Sequence, residues 1–395
     1  MHVFLAALFF FAILTLWVPG YWPVSVFQVG IFALAAIVVW RARLSPPAFS
    51  WPFVPLSFAV LWGLFQWLTG RTVYALDTKL ATLRWATFLA VFLIGMSLFG
   101  DGAVRRWFLS AILWFTFLVA ILAIVQTFTS QGKVFWIFAT PYTDYVMGPI
   151  LSRNHYAAFI EVVLPIALCR AARNEPDSLL YSGMAAALYT SVIASASRAG
   201  AVLTTAEVVL VPLLLWALRR APKRNIASAM LRMGLLFAIF CVIVGWEPVW
   251  NRFRTPDPLA VRRELAVSTL HMAAERPLFG VGLGAWSTVY PQYAIIDVRA
   301  FANQAHNDWL QWTAEGGFPF GIMLATLFFW SLRPAFRSIW GLGVVAVFLH
   351  ALVDYPFSRP ALGSWPILIL SMLALTHAEN QTSASPSRST TEGTW

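Results

Sequence analysis

The sequence predicts an all-α integral membrane protein with about twelve transmembrane helices and a long extracytoplasmic loop that contains short helices. Of the 395 residues, 59% are hydrophobic and only 11% are charged, whereas an average soluble domain has about 25% charged residues. Apolar runs long enough to cross a hydrocarbon core of about 30 Å recur from one end of the chain to the other. Composition and run length therefore agree on the fold class.

The apolar runs define the predicted elements and leave no soluble domain over. Residues 1–378 form one polytopic domain that includes the loop 248–305, and residues 379–395 are Ser/Thr-rich, as is typical of a disordered tail. The first run lacks the features of a cleaved signal and is predicted to be a retained helix. The predicted helices are 2–18, 24–41, 52–69, 80–99, 107–128, 155–170, 178–196, 199–217, 230–247, 315–332, 339–352 and 362–377.

The orientation follows from lysines and arginines, which concentrate in alternate short loops. These loops are predicted to be cytoplasmic, so both termini lie inside and the loop 248–305 lies outside. The net charge is +10, but many of the basic residues are explained by their position in cytoplasmic loops. A nucleic-acid partner is therefore not expected. The basic residues are Arg41, Arg43, Arg105, Arg106, Arg170, Arg173, Arg219, Arg220, Lys223, Arg224, Arg232, Arg333 and Arg337.

Other arginines fall on the predicted outer face. Arg153 precedes the sixth helix, Arg198 lies in the turn before the eighth, and Arg262 and Arg263 lie in the long loop. A planar guanidinium makes bidentate hydrogen bonds to phosphate oxygens, so these residues are candidates to bind a diphosphate. The alternative is that each one is an interfacial arginine that contacts lipid headgroups.

Charged residues also occur inside predicted helices, at Arg84, Glu161 and Glu207. All three are predicted to lie one to two turns below the outer face, where an unpaired charge is costly. We expect them to form a structural ion pair, and the second interpretation is that they line a substrate groove.

His306 is the candidate catalytic residue, because it lies where the long loop re-enters the membrane. Its near-neutral pKa in water suits a general base that takes a proton from a hydroxyl. The alternative is a histidine that only begins a helix. Asp354 and His350 lie one helical turn apart, and Asp354 could orient His306 or simply hold His350.

No metal or other cofactor is expected, although a zinc site was considered. The possible ligands are His155, His306, His350 and Asp354, but they lack a compact ligand spacing. Without a metal the leaving group must be a good one, such as a diphosphate. The glycine string 279–284 is predicted to be a turn and not a nucleotide loop, since no βαβ unit surrounds it.

The segment 258–275 is predicted to be an amphipathic helix that lies on the membrane as a lid. Leu259, Ala266 and Leu270 form its expected apolar side, and Arg262 would point towards whatever the lid covers.

The order and spacing of several short motifs resemble the superfamily of O-antigen ligases and polymerases, which are bacterial envelope polysaccharide enzymes. The resemblance covers about Gly148 to Pro356. The motifs are Ser152-Arg153-Asn154-His155-Tyr156-Ala157, Ser197-Arg198-Ala199-Gly200, Arg262-Arg263-Glu264-Leu265, Arg276-Pro277-Leu278-Phe279-Gly280-Val281-Gly282 and Ala305-His306-Asn307-Asp308-Trp309-Leu310, the last continuing to Glu315-Gly316-Gly317.

The resemblance implies an enzyme of the bacterial inner membrane whose active site faces the periplasm. Its donor would be a glycan linked to undecaprenyl diphosphate, and its acceptor a glycan, lipid A-core or a protein. The transfer would invert the anomeric carbon without metal or nucleotide. His306, Arg198 and Arg262 match the family's functional positions, but Ala266 stands where the family often has Trp, which leaves Arg263 as a rival to Arg262.

Two questions stay open at the level of sequence. A ligase, a polymerase and a protein glycosyltransferase share the same donor chemistry, so the motifs do not separate them. The competing class is a transporter or flippase that moves a lipid-linked glycan or another anion without chemistry. Transporters tend to have internal repeats and midplane sites, and neither is visible here.

Overall fold

The computed structural model describes residues 1–42, 49–140, 146–173, 176–244, 250, 260–295 and 301–384, and it is almost entirely helical there. The named strands of this part form one short antiparallel hairpin, in which Lys133–Val134 pairs with Phe138–Ala139. The predicted tail lies mostly outside the described residues. The helices are α1 (His2–Leu14), α2 (Trp22–Ala42), α3 (Phe53–Leu68), α4 (Ala75–Leu98), α5 (Gly102–Thr129), α6 (Arg153–Ala171), α7 (Ser178–Ala194), α8 (Arg198–Ala217), α9 (Lys223–Val244), α10 (Ala260–Glu275), α11 (Trp286–Val289), α12 (Asp308–Ser338), α13 (Leu342–His350) and α14 (Pro360–Ala384), with 3₁₀ turns at Tyr290–Gln292 and Pro356–Ser358.

Each of the predicted apolar runs coincides with a helix, and the prediction of an all-α membrane protein is confirmed. Among the described residues, seven helices are long and apolar enough to cross a membrane, namely α2, α4, α5, α8, α9, α12 and α14. Helices α1, α3 and α7 are apolar but shorter. The number of twelve spans stays a prediction.

Helix α6 forms the centre of the bundle. Almost every side chain from His155 to Leu168 is buried, because α5, α7, α8, α13 and α14 all pack around it. A helix that is apolar on every side is typical of a buried core position. A charged residue in α6 must therefore find its partner inside the protein.

Helix α12 begins at Asp308 and not at residue 315 as predicted. The side chain of Asn307 caps it by accepting a hydrogen bond from the amide of Leu310 at 3.0 Å, which satisfies one of the free N–H groups of the first turn. The helix is then interrupted at Gly317, whose φ is 78°. The continuous apolar run starts near this glycine pair, because residues 308–314 include the polar Asp308, Gln311 and Thr313. This composition explains the difference.

The glycine-rich segment 277–284 is a turn, as expected, and it docks onto this interruption of α12. The amide of Val281 donates to the carbonyl of Ala314 and that of Gly282 to the carbonyl of Glu315, both at 3.0 Å, and the amide of Phe318 donates to Pro277 at 2.8 Å. These backbone bonds tie the loop to the membrane domain.

The amphipathic segment forms α10, and that its predicted apolar side lies on the membrane stays a prediction. Leu270 is 49% exposed, whereas Leu265 and Met272 are buried, and Leu259 lies outside the described residues. The buried side also carries Glu264 and Thr269, which bind Tyr290 and Trp286 through hydrogen bonds of 2.6 and 2.9 Å. These hydrogen-bonded polar residues therefore help to decide which side of α10 faces the protein. The pattern of apolar residues alone does not predict this side.

Replacing Gly280 with Ala tests the docking of this loop. Gly280 has a φ of 68°, and an added Cβ would overlap the carbonyl of Glu315. We expect the free energy of unfolding to fall by about 2–5 kcal/mol, from the left-handed backbone plus the clash. Thermal unfolding in detergent measures it.

Gly70→Ala is the matched control, because Gly70 has the same φ of 68° with nothing within 4 Å of the added Cβ. It should lose only the backbone contribution of about 1–2 kcal/mol. Equal losses in the two variants would show that the loop is not tightly docked.

Candidate functional site

A cluster of histidines and an aspartate lies at one end of the bundle, where α6 and α12 begin. We call this the histidine end, and it comprises His155, His306, Asp354 and Tyr355. His306 has a φ of 52° and stands just before the N-cap of α12, so the chain turns sharply there. Its Nδ1 lies 3.3 Å from Oδ1 of Asp354.

The two partners of this pair differ in exposure. The side chain of His306 is 34% exposed and that of Asp354 only 1%. A buried acid thus supports a histidine that stays accessible to substrate. Of the two roles predicted for Asp354, the geometry matches the contact with His306.

Asp354 also faces a second histidine. Nε2 of His155 lies 3.7 Å from its other oxygen, and the ring of Tyr355 stands edge-on to both imidazoles, with centroid distances of 4.7 Å to His155 and 4.8 Å to His306. From the sequence His155 is predicted only as a possible metal ligand, and Tyr355 is not predicted at all. Tyr355 directly follows the candidate residue Asp354 in the sequence, and this position could have indicated that it lies at the site.

The carboxyl of Asp354 is ionised at neutral pH. Burial raises its pKa, but the hydrogen bond with His306 and the nearby imidazoles of His155 and His350 outweigh burial and lower it to about 2. The backbone of its loop is held as well, because the amide of Asp308 donates to the carbonyls of Ala351 and Asp354. Asp354 therefore keeps its charge and its place.

His350 binds a different acid. Its Nδ1 lies 2.8 and 3.0 Å from the two carboxyl oxygens of Glu161, and both side chains are completely buried. The pair joins α13 to α6. The backbone carbonyl of His350 accepts the amide of Asp354 at 3.0 Å, so the pair also fixes the base of the Asp354 loop.

The predicted ion pairing of Arg84 with the two glutamates is wrong. Arg84 donates to the carbonyl of Ser358 at 3.2 Å and interacts electrostatically with Glu315 and Asp308. Glu161 binds His350 instead, and no described residue hydrogen bonds to the buried carboxyl of Glu207. The reason is that α12 places Asp308 and Glu315 near Arg84 of α4. The depth of a residue in its own helix does not predict which other helix lies beside it.

Two predicted arginines begin helices at the histidine end. Arg153 is the first residue of α6 and Arg198 the first of α8, and both are half-buried. The two helix starts are tied together, since the hydroxyl of Ser197 donates to the side chain of Asn154 at 2.8 Å.

The neighbours Arg262 and Arg263 differ in placement. Arg262 is half-buried and Arg263 exposed, and Arg262 interacts electrostatically with His350. Arg359, which the sequence analysis missed, is exposed and interacts electrostatically with both His155 and Arg84. Arg359 could have been identified as a candidate because it is a basic residue on the predicted outer side.

The possible zinc ligands do not form a metal site in the part of the chain that is described. No group of three or more His, Cys, Asp or Glu side chains there is arranged to hold a metal ion. That the activity needs no metal stays a prediction.

Residues 183–325 match the model of the O-antigen ligase family. This region belongs to that family. A search of curated proteins found no match to the chain. The family match and the apolar helices support a membrane protein of the O-antigen ligase type, which transfers glycan in polysaccharide or lipopolysaccharide biosynthesis. His306, Arg198 and Arg262 lie inside the O-antigen ligase region, whereas Arg153, His350 and Asp354 lie outside it.

Glu161→Gln tests whether the buried pair stabilises the helical bundle. It replaces one of the two carboxyl oxygens that contact Nδ1 of His350 with an NH₂ group that cannot accept a hydrogen bond. We expect the weaker pair to lower the free energy of unfolding by about 1–3 kcal/mol. Thermal unfolding in detergent gives the comparison.

Glu207→Gln is the matched control, because it is the same exchange at a buried carboxyl without a hydrogen-bond partner among the described residues. This variant should lose little or nothing. If both variants unfolded at the wild-type temperature, the pair with His350 would contribute nothing to stability.

Proposed function

We propose that the protein transfers a glycan from an undecaprenyl-diphosphate-linked donor to an acceptor hydroxyl. The observation that supports this most is the exposed imidazole of His306 on the buried carboxylate of Asp354, 3.3 Å away. Arg198 and Arg153 begin helices near this pair, and Arg262 of α10 interacts electrostatically with the neighbouring His350.

His306 serves as the general base in this proposal. Asp354 accepts a hydrogen bond from the Nδ1–H group of His306, so Nε2 carries no proton and can take the proton of the acceptor hydroxyl. The ionised carboxylate then stabilises the imidazolium that forms. Such pairs orient the ring and fix its tautomer.

The arginines hold the donor and stabilise the leaving group. The acceptor oxygen forms a bond to the anomeric carbon while the bond from that carbon to the diphosphate oxygen breaks, so the electron pair stays on the lipid diphosphate. Negative charge grows there in the transition state, where guanidinium groups bind it more strongly than in the ground state. A single displacement of this kind inverts the anomeric carbon.

The proposed mechanism requires neither a metal nor a nucleotide, because the diphosphate is a good leaving group. We place the reaction on the periplasmic side of the bacterial inner membrane, with both termini in the cytoplasm. Basic residues such as Arg219 and Arg220 at the opposite end from Arg198 support this orientation. The acceptor is a glycan, lipid A-core or a protein.

His306→Ala should reduce glycan transfer by about 10²–10⁴-fold while the protein still folds and binds donor, since the imidazole acts on the acceptor. The measurement is single-turnover transfer from a defined lipid-linked donor by purified protein. His271→Ala is the control, because His271 is exposed on α10 and has no role in the proposal.

Near-normal turnover of His306→Ala would contradict the proposal that His306 is the general base. Donor binding and movement across the membrane without release of lipid diphosphate by the wild-type protein would instead indicate a transporter.

Arg198→Lys and Arg262→Lys keep the charge but lose the bidentate fork. We expect each to reduce transfer at subsaturating donor by about tenfold or more, since a charge-assisted hydrogen bond contributes about 1.5–3 kcal/mol. Arg220→Lys, at the other end of α8, should behave as wild type. Loss in Arg263→Lys with a normal Arg262→Lys would assign the donor contact to Arg263.

A further inference from the structure

A cavity outside the histidine end remains without a role in glycan transfer. Its volume is about 350 Å³, and it lies between the α3–α4 turn and the segment that follows α10. Its lining residues are Gly70, Arg71, Thr72, Arg276, Pro277, Leu278, Phe279 and Gly280.

The wall of this cavity is held rigidly. The side-chain amide of Gln66 donates to the carbonyl of Phe279 at 2.6 Å and accepts from the amide of Leu283 at 3.0 Å. The ring of Trp62 stacks on Phe279 at a centroid distance of 5.9 Å. The pocket is therefore formed before any ligand arrives, which lowers the entropic cost of binding.

The charge of the cavity is positive. Arg71 and Arg276 line it, both are exposed, and the lining contains no acidic residue. The guanidinium of Arg71 lies 4.2 Å over the ring of Phe279, which keeps the side chain ordered. The neighbouring acid Glu275 is occupied elsewhere, since it accepts the hydroxyl of Tyr293 at 2.6 Å.

An exposed apolar surface adjoins the two arginines. Leu68 and Leu278 are 73% and 62% exposed at the rim, and Phe318 and Ile322 are 48% and 64% exposed one turn apart on α12. The amide of Phe318 bonds to Pro277, so this surface continues directly from the cavity. The α3–α4 turn precedes a candidate span, which places the cavity at the membrane boundary.

We propose that this pocket binds the phosphate headgroup of an anionic phospholipid, whose acyl chains lie along Leu278, Phe318 and Ile322. The two arginines hold the phosphate by charge-assisted hydrogen bonds. A zwitterionic headgroup fits poorly, because its cationic group would lie beside the guanidinium groups. The site is separate from the proposed glycan transfer and does not depend on it.

The test uses the purified full chain in a neutral detergent and follows thermal unfolding. Dioleoylphosphatidylglycerol is titrated in, with dioleoylphosphatidylcholine and inorganic phosphate as parallel arms. A ligand that binds the folded state raises the unfolding temperature with its concentration. We expect phosphatidylglycerol to stabilise the protein and the other two arms to have little effect.

The variant Arg71→Gln/Arg276→Gln should need about tenfold more phosphatidylglycerol for half of the stabilisation, since charge-assisted bonds to phosphate are lost. Arg220→Gln/Arg224→Gln removes the same charge at the α8–α9 turn and should titrate as wild type. Arg276→Gln alone leaves the stacking of Arg71 intact and gives the same test if the double variant is unstable.

Three results would overturn the proposal. These are an unchanged titration of both cavity variants, an equal response to phosphatidylcholine, and an arginine-dependent stabilisation by inorganic phosphate alone, which would make the pocket a phosphate site without a lipid.

Discussion

The docking of segment 277–284 onto the interruption of α12 is the constraint on which the arrangement of the molecule depends. Gly317 opens the helix at a φ of 78°, and the carbonyls of Ala314 and Glu315 accept the amides of Val281 and Gly282. Backbone groups in a membrane bundle must find partners inside the protein. The loop supplies them here, and in return the bundle fixes the loop and α10, which carries Arg262.

Buried polar side chains extend the same constraint through the bundle. Glu315 accepts the amide of Gly284 at 2.8 Å and the side-chain amide of Gln311 at 2.9 Å, and Glu161 faces His350. An ionisable group within a membrane domain is costly unless it is paired. Most of these groups therefore connect two elements, and they bring the start of α12 and the Asp354 loop to one place.

At the histidine end the acid is buried, whereas the histidine that it contacts is partly exposed. Asp354 is buried and ionised, with a pKa of about 2, and it touches both His306 and His155. Of the two histidines only His306 is partly exposed, since His155 is buried. In the proposed glycan transfer His306 is the base that faces the acceptor, and Arg198 of α8 and Arg262 of α10 hold the donor. Each group comes from a different helix, so a change in packing would disperse the site.

The sequence by itself determined the fold class and the approximate positions of the helices, and it predicted the residues that the proposed chemistry uses. Those conclusions rest on hydrophobic run length and on short motifs, which are local properties of the chain. His306 and the arginines were found because they are polar residues in positions that helix formation and orientation do not require.

Only the tertiary structure decided the partners. It paired Glu161 with His350, it directed Arg84 to the carbonyl of Ser358, and it placed Tyr355 against two imidazoles. It also turned Leu270 of α10 outwards. These contacts join residues that are far apart in sequence, and their energies depend on distance and burial. No periodicity encodes such contacts, so they emerge only when the helices pack.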